Sequence, residues 1–191
     1  MVTQSETILT QIPDLDHFPE PQIAALVCSG RSGSKLLQSY LDSHESILMI
    51  PGYPLMYLYP HWDGWVKEVG EDLSWDRIID IFCEKHGSVL DSRRVPGLSG
   101  LERLGESADE HVQVREDDFR SYLHTILDGR PVSRKEFLLA VHYAYGLCKG
   151  WDLCSRPVLI FHIHMMSFLK GFIQDFPHTK TVHMTRSPLS S

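Results

Sequence analysis

Two short stretches hold the residue types that grip anions, and a few histidines could move protons beside them. Near the amino end, Ser29-Gly30-Arg31-Ser32-Gly33-Ser34-Lys35 packs two glycines, three serines and two cations into seven positions. A small-residue turn between a strand and a helix offers backbone N–H groups to a phosphate, and the helix start adds a partial positive charge. In that setting Gly30 and Gly33 let the main chain approach an anion closely. Ser32 and Ser34 supply hydroxyl donors, while Arg31 brings a planar fork and Lys35 a movable point charge. Near the carboxy end, Thr185-Arg186-Ser187-Pro188 places a second cation, Arg186, just past an apolar strand.

For proton transfer, His164 follows the run Val158-Leu159-Ile160-Phe161 and so sits where the carboxyl end of a strand collects ligands. His61, beside Trp62, is the second candidate base. His162 and His164 would share one face if their strand continued, which could begin a metal site. No third ligand stands at a recognisable spacing, so the expectation is no metal. A histidine of this kind is also a common hydrogen-bonded structural residue.

These groups need a framework of strands and helices. Ile23 to Cys28 is a continuous apolar run suited to a buried parallel strand, and residues 35 to 41 place Leu37, Tyr40 and Leu41 at helical spacing. A second strand is expected at Ile47–Ile50, with helices around Val66 and from Trp75 to Lys85. Residues 86–114 are rich in Gly, Pro, Ser and charge, and read as a surface excursion, either a lid or a plain connection. Helices are expected at Phe119–Leu127 and Arg134–Leu147, then a strand at Val158–Phe161, a helix at Met166–Asp175 and a strand at Thr181–Met184. The strand-helix-strand order implies a parallel sheet with right-handed crossovers. Tyr53, Tyr57, Tyr59 and Trp62 could line an acceptor pocket, although packing accounts for most of them equally well. Trp75, Phe82, Phe119, Tyr122, Phe137 and Tyr143 belong to the core.

Composition sets the outer limits. The 191 residues, 42% apolar and 23% charged, suit one domain, with residues 1–22 as a polar lead-in and 23–191 as the folded unit. A net charge of −7 and the lack of a basic cluster argue against a nucleic-acid partner. The acidic, proline-bearing start is unlike a secretory signal, and no apolar run approaches a membrane span, so no membrane and a cytoplasmic location are expected. Cys28, Cys83, Cys148 and Cys154 are far apart without CxxC spacing and read as buried thiols.

The loop departs from the GxxxxGK(S/T) pattern of nucleotide kinases, because Gly30 and Gly33 are too close and Ser34 stands where the lysine belongs. Ser-Gly-Arg-Ser-Gly-Ser-Lys-Leu-Leu instead resembles the 5′-phosphosulfate-binding loop of the sulfotransferases. Phe176-Pro177 followed by the strand ending in Arg186-Ser187-Pro188 resembles the family's 3′-phosphate-binding segment. The resemblance covers roughly residues 24–50 and 156–191. It implies a three-layer α/β/α fold with a central parallel sheet, of the P-loop NTPase-like sulfotransferase type. It further implies 3′-phosphoadenosine 5′-phosphosulfate as sulfuryl donor, no metal, and a small-molecule or carbohydrate acceptor bearing a hydroxyl.

In such a site Lys35 would face the bridging oxygen, Gly30, Arg31, Ser32, Gly33 and Ser34 would hold the 5′-phosphate, and Arg186 would hold the 3′-phosphate. His164 or His61 would act as base. The family's further serine, eight positions after the arginine, would fall at position 194, past Ser191, which reads as a domain truncated at its carboxy end. A small-molecule or nucleoside kinase with an atypical phosphate loop, or a noncatalytic nucleotide-binding module, are the other readings. The acceptor and the oligomeric state are open.

Overall fold

A computed structural model describes residues 21–28, 32–42, 44–51, 54–94, 103 and 106–185. Its spine is β1 (Gln22–Cys28), β2 (Ile47–Leu48), β3 (Val158–Ile163) and β4 (Lys180–Met184), which form an all-parallel sheet in the order β2-β3-β1-β4. β1 thus lies inside the sheet, paired with β3 from Gln22↔Val158 to Val27↔Ile163 and with β4 from Ala24↔Lys180 to Cys28↔Met184. Parallel strands cannot be joined by tight hairpins, and the intervening chain is largely helical. The helices are α1 (Ser34–Leu41), α2 (Pro54–Leu58), α3 (Trp62–Val69), α4 (Trp75–Lys85), α5 (Glu116–Leu127), α6 (Arg134–Cys148) and α7 (Met166–Asp175). Among the described residues no helix is long and apolar enough to cross a membrane.

Side chains alternate along β3, and the two faces carry different helices. On one face Phe161 meets His142 of α6 at 4.6 Å and Phe172 of α7 at 5.1 Å between ring centroids. On the other face His162 meets Gln38 of α1. Helices therefore lie on both sides of the sheet, an arrangement compatible with a three-layer α/β/α fold.

The large core grows outward from the Phe161 face. Phe137 of α6 is fully buried and packs edge-on against Phe82 of α4 at 5.3 Å, with Trp62, Trp65 and Trp75 around it. Each such ring removes a large apolar area from water, and edge-to-face contacts add directionality. Tyr59 and Trp62 belong to this core, so the aromatic run after β2 is mostly packing. At the lower end of the sheet Arg134 donates two hydrogen bonds to Asp175, 2.8 and 3.1 Å long, while Tyr59 donates its hydroxyl to the same carboxylate at 2.6 Å. The guanidinium also covers the Tyr59 ring.

Several boundaries differ from the sequence expectations. β2 is two residues long rather than four, and β3 runs on to Ile163, which takes His162 into the strand. In α1 the buried residues are Ser34 and Gln38, while Leu36 and Tyr40 are exposed. The polar face of α1 is turned inward because Gln38 finds three hydrogen-bonding partners there, His162 on β3 and the carbonyls of Ile50 and Pro51 just past β2. The 86–114 excursion is pinned at its base by an antiparallel bridge between Asp91 and Gln113 and by Val114 N–H donating to Leu90. Of the cysteines, Cys28 and Cys83 are buried, Cys148 is half-buried and Cys154 is exposed, so burial holds for only part of the set.

Buried histidines give the fold an acid limit. Burial pushes His142 down to about 4, against the favourable hydrogen bond that its Nδ1 makes with the Leu138 carbonyl. His86, whose buried Nε2 has no hydrogen-bond partner among the described residues, is also pushed down to about 4, mainly by burial and secondarily by His61. An unfolded imidazole binds a proton near pH 6.5, so between there and pH 4 the unfolded chain takes up protons that the folded chain refuses. Stability is therefore full above about pH 6.5 and falls as the pH drops toward 4. Urea unfolding at pH 7 and 4.5 should show His142 contributing a loss on the order of 2–3 kcal/mol. His142→Gln should flatten that part of the pH dependence, and an unchanged slope would contradict the account.

Candidate functional site

β1 and β3 are neighbours whose following chain leaves toward opposite faces, α1 on the His162 side and α7 on the Phe161 side. Open parallel sheets bind ligands in the crevice at such a switch point, beyond the carboxyl ends of the strands. The register sets Leu26 level with His162 and Val27 level with Ile163, so Cys28, the last residue of β1, comes beside His162 and His164.

The local turn suits an anion. Gly33 caps α1 at φ 84°, ψ 9°, a left-handed conformation that glycine adopts without Cβ strain. Its carbonyl accepts from Leu36 and Leu37 N–H at 3.0 and 3.2 Å. Ser32 is 9% exposed, and its buried Oγ has no hydrogen-bond partner among the described residues. A hydroxyl left bare costs about 1–3 kcal/mol, which a ligand oxygen at this place would recover. Ser34 is buried in the first turn of α1, and Lys35 follows on the exposed side. Gly30, Arg31 and Arg186 lie outside the described residues, as does Tyr53.

Beneath the loop lies a polar chain with fixed polarity. Gln38 Nε2 donates to the carbonyls of Pro51, at 2.7 Å, and Ile50, at 3.3 Å. That orients its Oε1 toward His162 Nδ1, 2.7 Å away, so Nδ1 carries the proton and donates. His162 Nε2 then presents its lone pair to Cys28 Sγ at 2.9 Å. His164 stacks on His162, with centroids 4.5 Å apart, and its Nδ1 is 3.6 Å from the same sulfur.

Burial holds His162 down at about 4, helped by the charges of His164 and Lys35. His164 is lowered in the same direction by burial and then by Lys35. Both imidazoles are therefore neutral near pH 7, and the Lys35 ammonium lies close enough for its field to act on both.

The structure brings Lys35 near enough to His164 for its charge to act there, and Ser32 and Ser34 stand in the same strand-to-helix turn as Lys35. His61 belongs to another cluster among the described residues: it is exposed at the start of α3, stacks on Trp65 at 6.3 Å and lies 5.1 Å from His86. Cys28 and Gln38 were not anticipated as site residues. Cys28 is 134 positions from His162, and no local spacing could reveal that meeting. A polar residue amid the apolar positions of α1 was the available signal for Gln38. Comparison with known proteins found no matching family model, curated protein or solved structure.

The Gln38 relay has a direct spectroscopic consequence. Nitrogen-15 NMR of His162 at pH 7 should show the Nδ1–H tautomer, and Gln38→Leu should lower stability by about 1–3 kcal/mol by stripping partners from a buried ring and two carbonyls. An Nε2–H tautomer in the unaltered protein would refute the assigned polarity.

Proposed function

We propose that this chain is a sulfotransferase that moves a sulfuryl group from 3′-phosphoadenosine 5′-phosphosulfate to an acceptor hydroxyl. The observation that carries the reading is the proximity of Lys35, at the first turn of α1, to His164, just past the carboxyl end of β3, close enough for the ammonium to act on the imidazole. The resemblance of the loop to sulfotransferase phosphosulfate loops supports it, as does the buried Ser32 hydroxyl, which has no hydrogen-bond partner among the described residues.

In this reading the main chain around Gly33 and the hydroxyls of Ser32 and Ser34 hold the 5′-phosphate, with Gly30 and Arg31 completing the loop and Arg186 serving the 3′-phosphate. His164, neutral at working pH, accepts the acceptor's hydroxyl proton. The freed oxygen lone pair attacks sulfur in line, and the bond from sulfur to the bridging oxygen breaks. Adenosine 3′,5′-bisphosphate departs, with Lys35 offsetting the charge that builds on that oxygen. Positioning and charge stabilisation supply the rate, as in phosphoryl transfer.

Calorimetry separates this chemistry from that of a kinase. Adenosine 3′,5′-bisphosphate should bind without magnesium and more tightly than ATP with magnesium, and the reverse preference would replace the proposal with phosphoryl transfer. Against a panel of hydroxyl acceptors with labelled donor, Lys35→Ala should lower kcat by about 100-fold or more, as losing one charge-stabilising donor does, with little change in thermal unfolding. Equal loss of fold and turnover would remove Lys35 from this role. Because His164 must be unprotonated, kcat/KM should rise with pH and level off with a midpoint below 6.5, the ordinary imidazole value. His164→Gln should abolish that limb.

A further inference from the structure

We infer that Cys28, His162 and His164 form a binding site for a single zinc ion. The three side chains come from two strand ends that the parallel register sets side by side, and their donor atoms all lie within 4.8 Å of one another. One thiolate sulfur with two imidazole nitrogens is a donor set that zinc favours over magnesium or calcium, which take oxygen ligands. Tetrahedral zinc with ordinary bond lengths spaces sulfur and nitrogen ligands about 3.6 Å apart. Cys28 Sγ and His164 Nδ1 already stand at 3.6 Å. Cys28 Sγ and His162 Nε2 stand at 2.9 Å, so this edge opens by a fraction of an ångström as the ion enters. His164, half-buried at the mouth, is the side chain with room to adjust.

Gln38 supplies the second argument. A metal-binding imidazole is commonly oriented by an acceptor on its other ring nitrogen. Here Gln38 Oε1 accepts from His162 Nδ1, and two main-chain carbonyls hold the amide in place. The lone pair of Nε2 is thereby kept on the side of the ring that faces the Cys28 sulfur, ready for an ion shared with that sulfur. On binding, the Cys28 thiol gives up its proton to solvent and its sulfur bonds the metal, while both imidazoles coordinate through existing lone pairs. The nearby Lys35 ammonium opposes an incoming cation, and the thiolate that Cys28 presents on losing its proton offsets that charge.

The site does not rest on the sulfotransferase reading: zinc on His164 would take up the lone pair that reading assigns to the base, so the zinc-loaded chain would be the inactive form, and the test uses metal alone. The full chain, stripped with a chelator, is titrated with zinc against a chromophoric competitor, and with cobalt(II) as a spectroscopic substitute. The expected result is one zinc per chain, and a cobalt adduct with a thiolate-to-metal charge-transfer band and the intense visible bands of a four-coordinate ion. Cys28→Ala should erase the charge-transfer band and weaken zinc by roughly 100-fold or more, since losing a ligand costs at least as much as losing an outer partner. His164→Ala should weaken binding comparably, and because it alters a half-buried residue it keeps the test decisive if Cys28→Ala folds poorly. Cys154→Ser, at an exposed thiol outside the cluster, should change nothing. No zinc uptake at micromolar concentrations, a cobalt adduct without the charge-transfer band, or uptake indifferent to Cys28→Ala and His164→Ala would each overturn the site.

Discussion

The parallel register between β1 and β3 is the constraint from which the site follows. Leu26 level with His162 is one pairing among several, yet a slip of one residue would turn His162 toward the aromatic core and Phe161 toward α1. Such a slip is opposed from both faces. Phe161 sits among His142, Phe172 and Phe176, where a polar ring could not replace it without loss, and His162 is held by the Gln38 amide on the other side. Apolar packing on one face and a directed hydrogen bond on the other thus specify the same alignment. Cys28, His162 and His164 meet at the carboxyl end of that alignment.

Polarity is distributed unevenly over the two faces. The Phe161 face carries the large aromatic core, built through α6 onto α4 and α5, with one buried imidazole, His142, tied to its own helix and the Arg134 and Asp175 pair at the rim. The His162 face is smaller and contains a buried polar chain running from two carbonyls through Gln38 and His162 to Cys28. Buried polar chains rigidify when every member is satisfied. Keeping one on the side of the Gly33 turn places a rigid polar chain beside Lys35 and leaves the opposite face to supply cohesion.

Much of the framework was legible in the sequence, because apolar runs and helical spacing report directly on burial. The strand at Ile23–Cys28, the helix at Met166–Asp175 and the parallel arrangement are as the pattern implies. The short β2 and the inward turn of Gln38 were not legible, since both depend on partners distant in sequence. Leu37, Tyr40 and Leu41 suggested an apolar inner face for α1, yet hydrogen bonds to Ile50, Pro51 and His162 outweigh that pattern and leave Tyr40 in solvent. For the site, Lys35 and His164 could be named from a strand-end rule and a loop pattern. Cys28 read only as a buried thiol until the register brought it to the two imidazoles.

The tie among Arg134, Tyr59 and Asp175 shapes how the cleft can yield. It fastens the last turn of α7 to the first turn of α6 and to the chain just past α2, at the pole of the sheet remote from His164. The opposite end of α7 begins at Met166, which is 61% exposed beside an exposed Met165. A helix bolted at its foot and bare at its head has its compliance at the head. In α7 the anchored end is thus the one far from His164, and the end that follows His164 in the chain is the one that faces solvent.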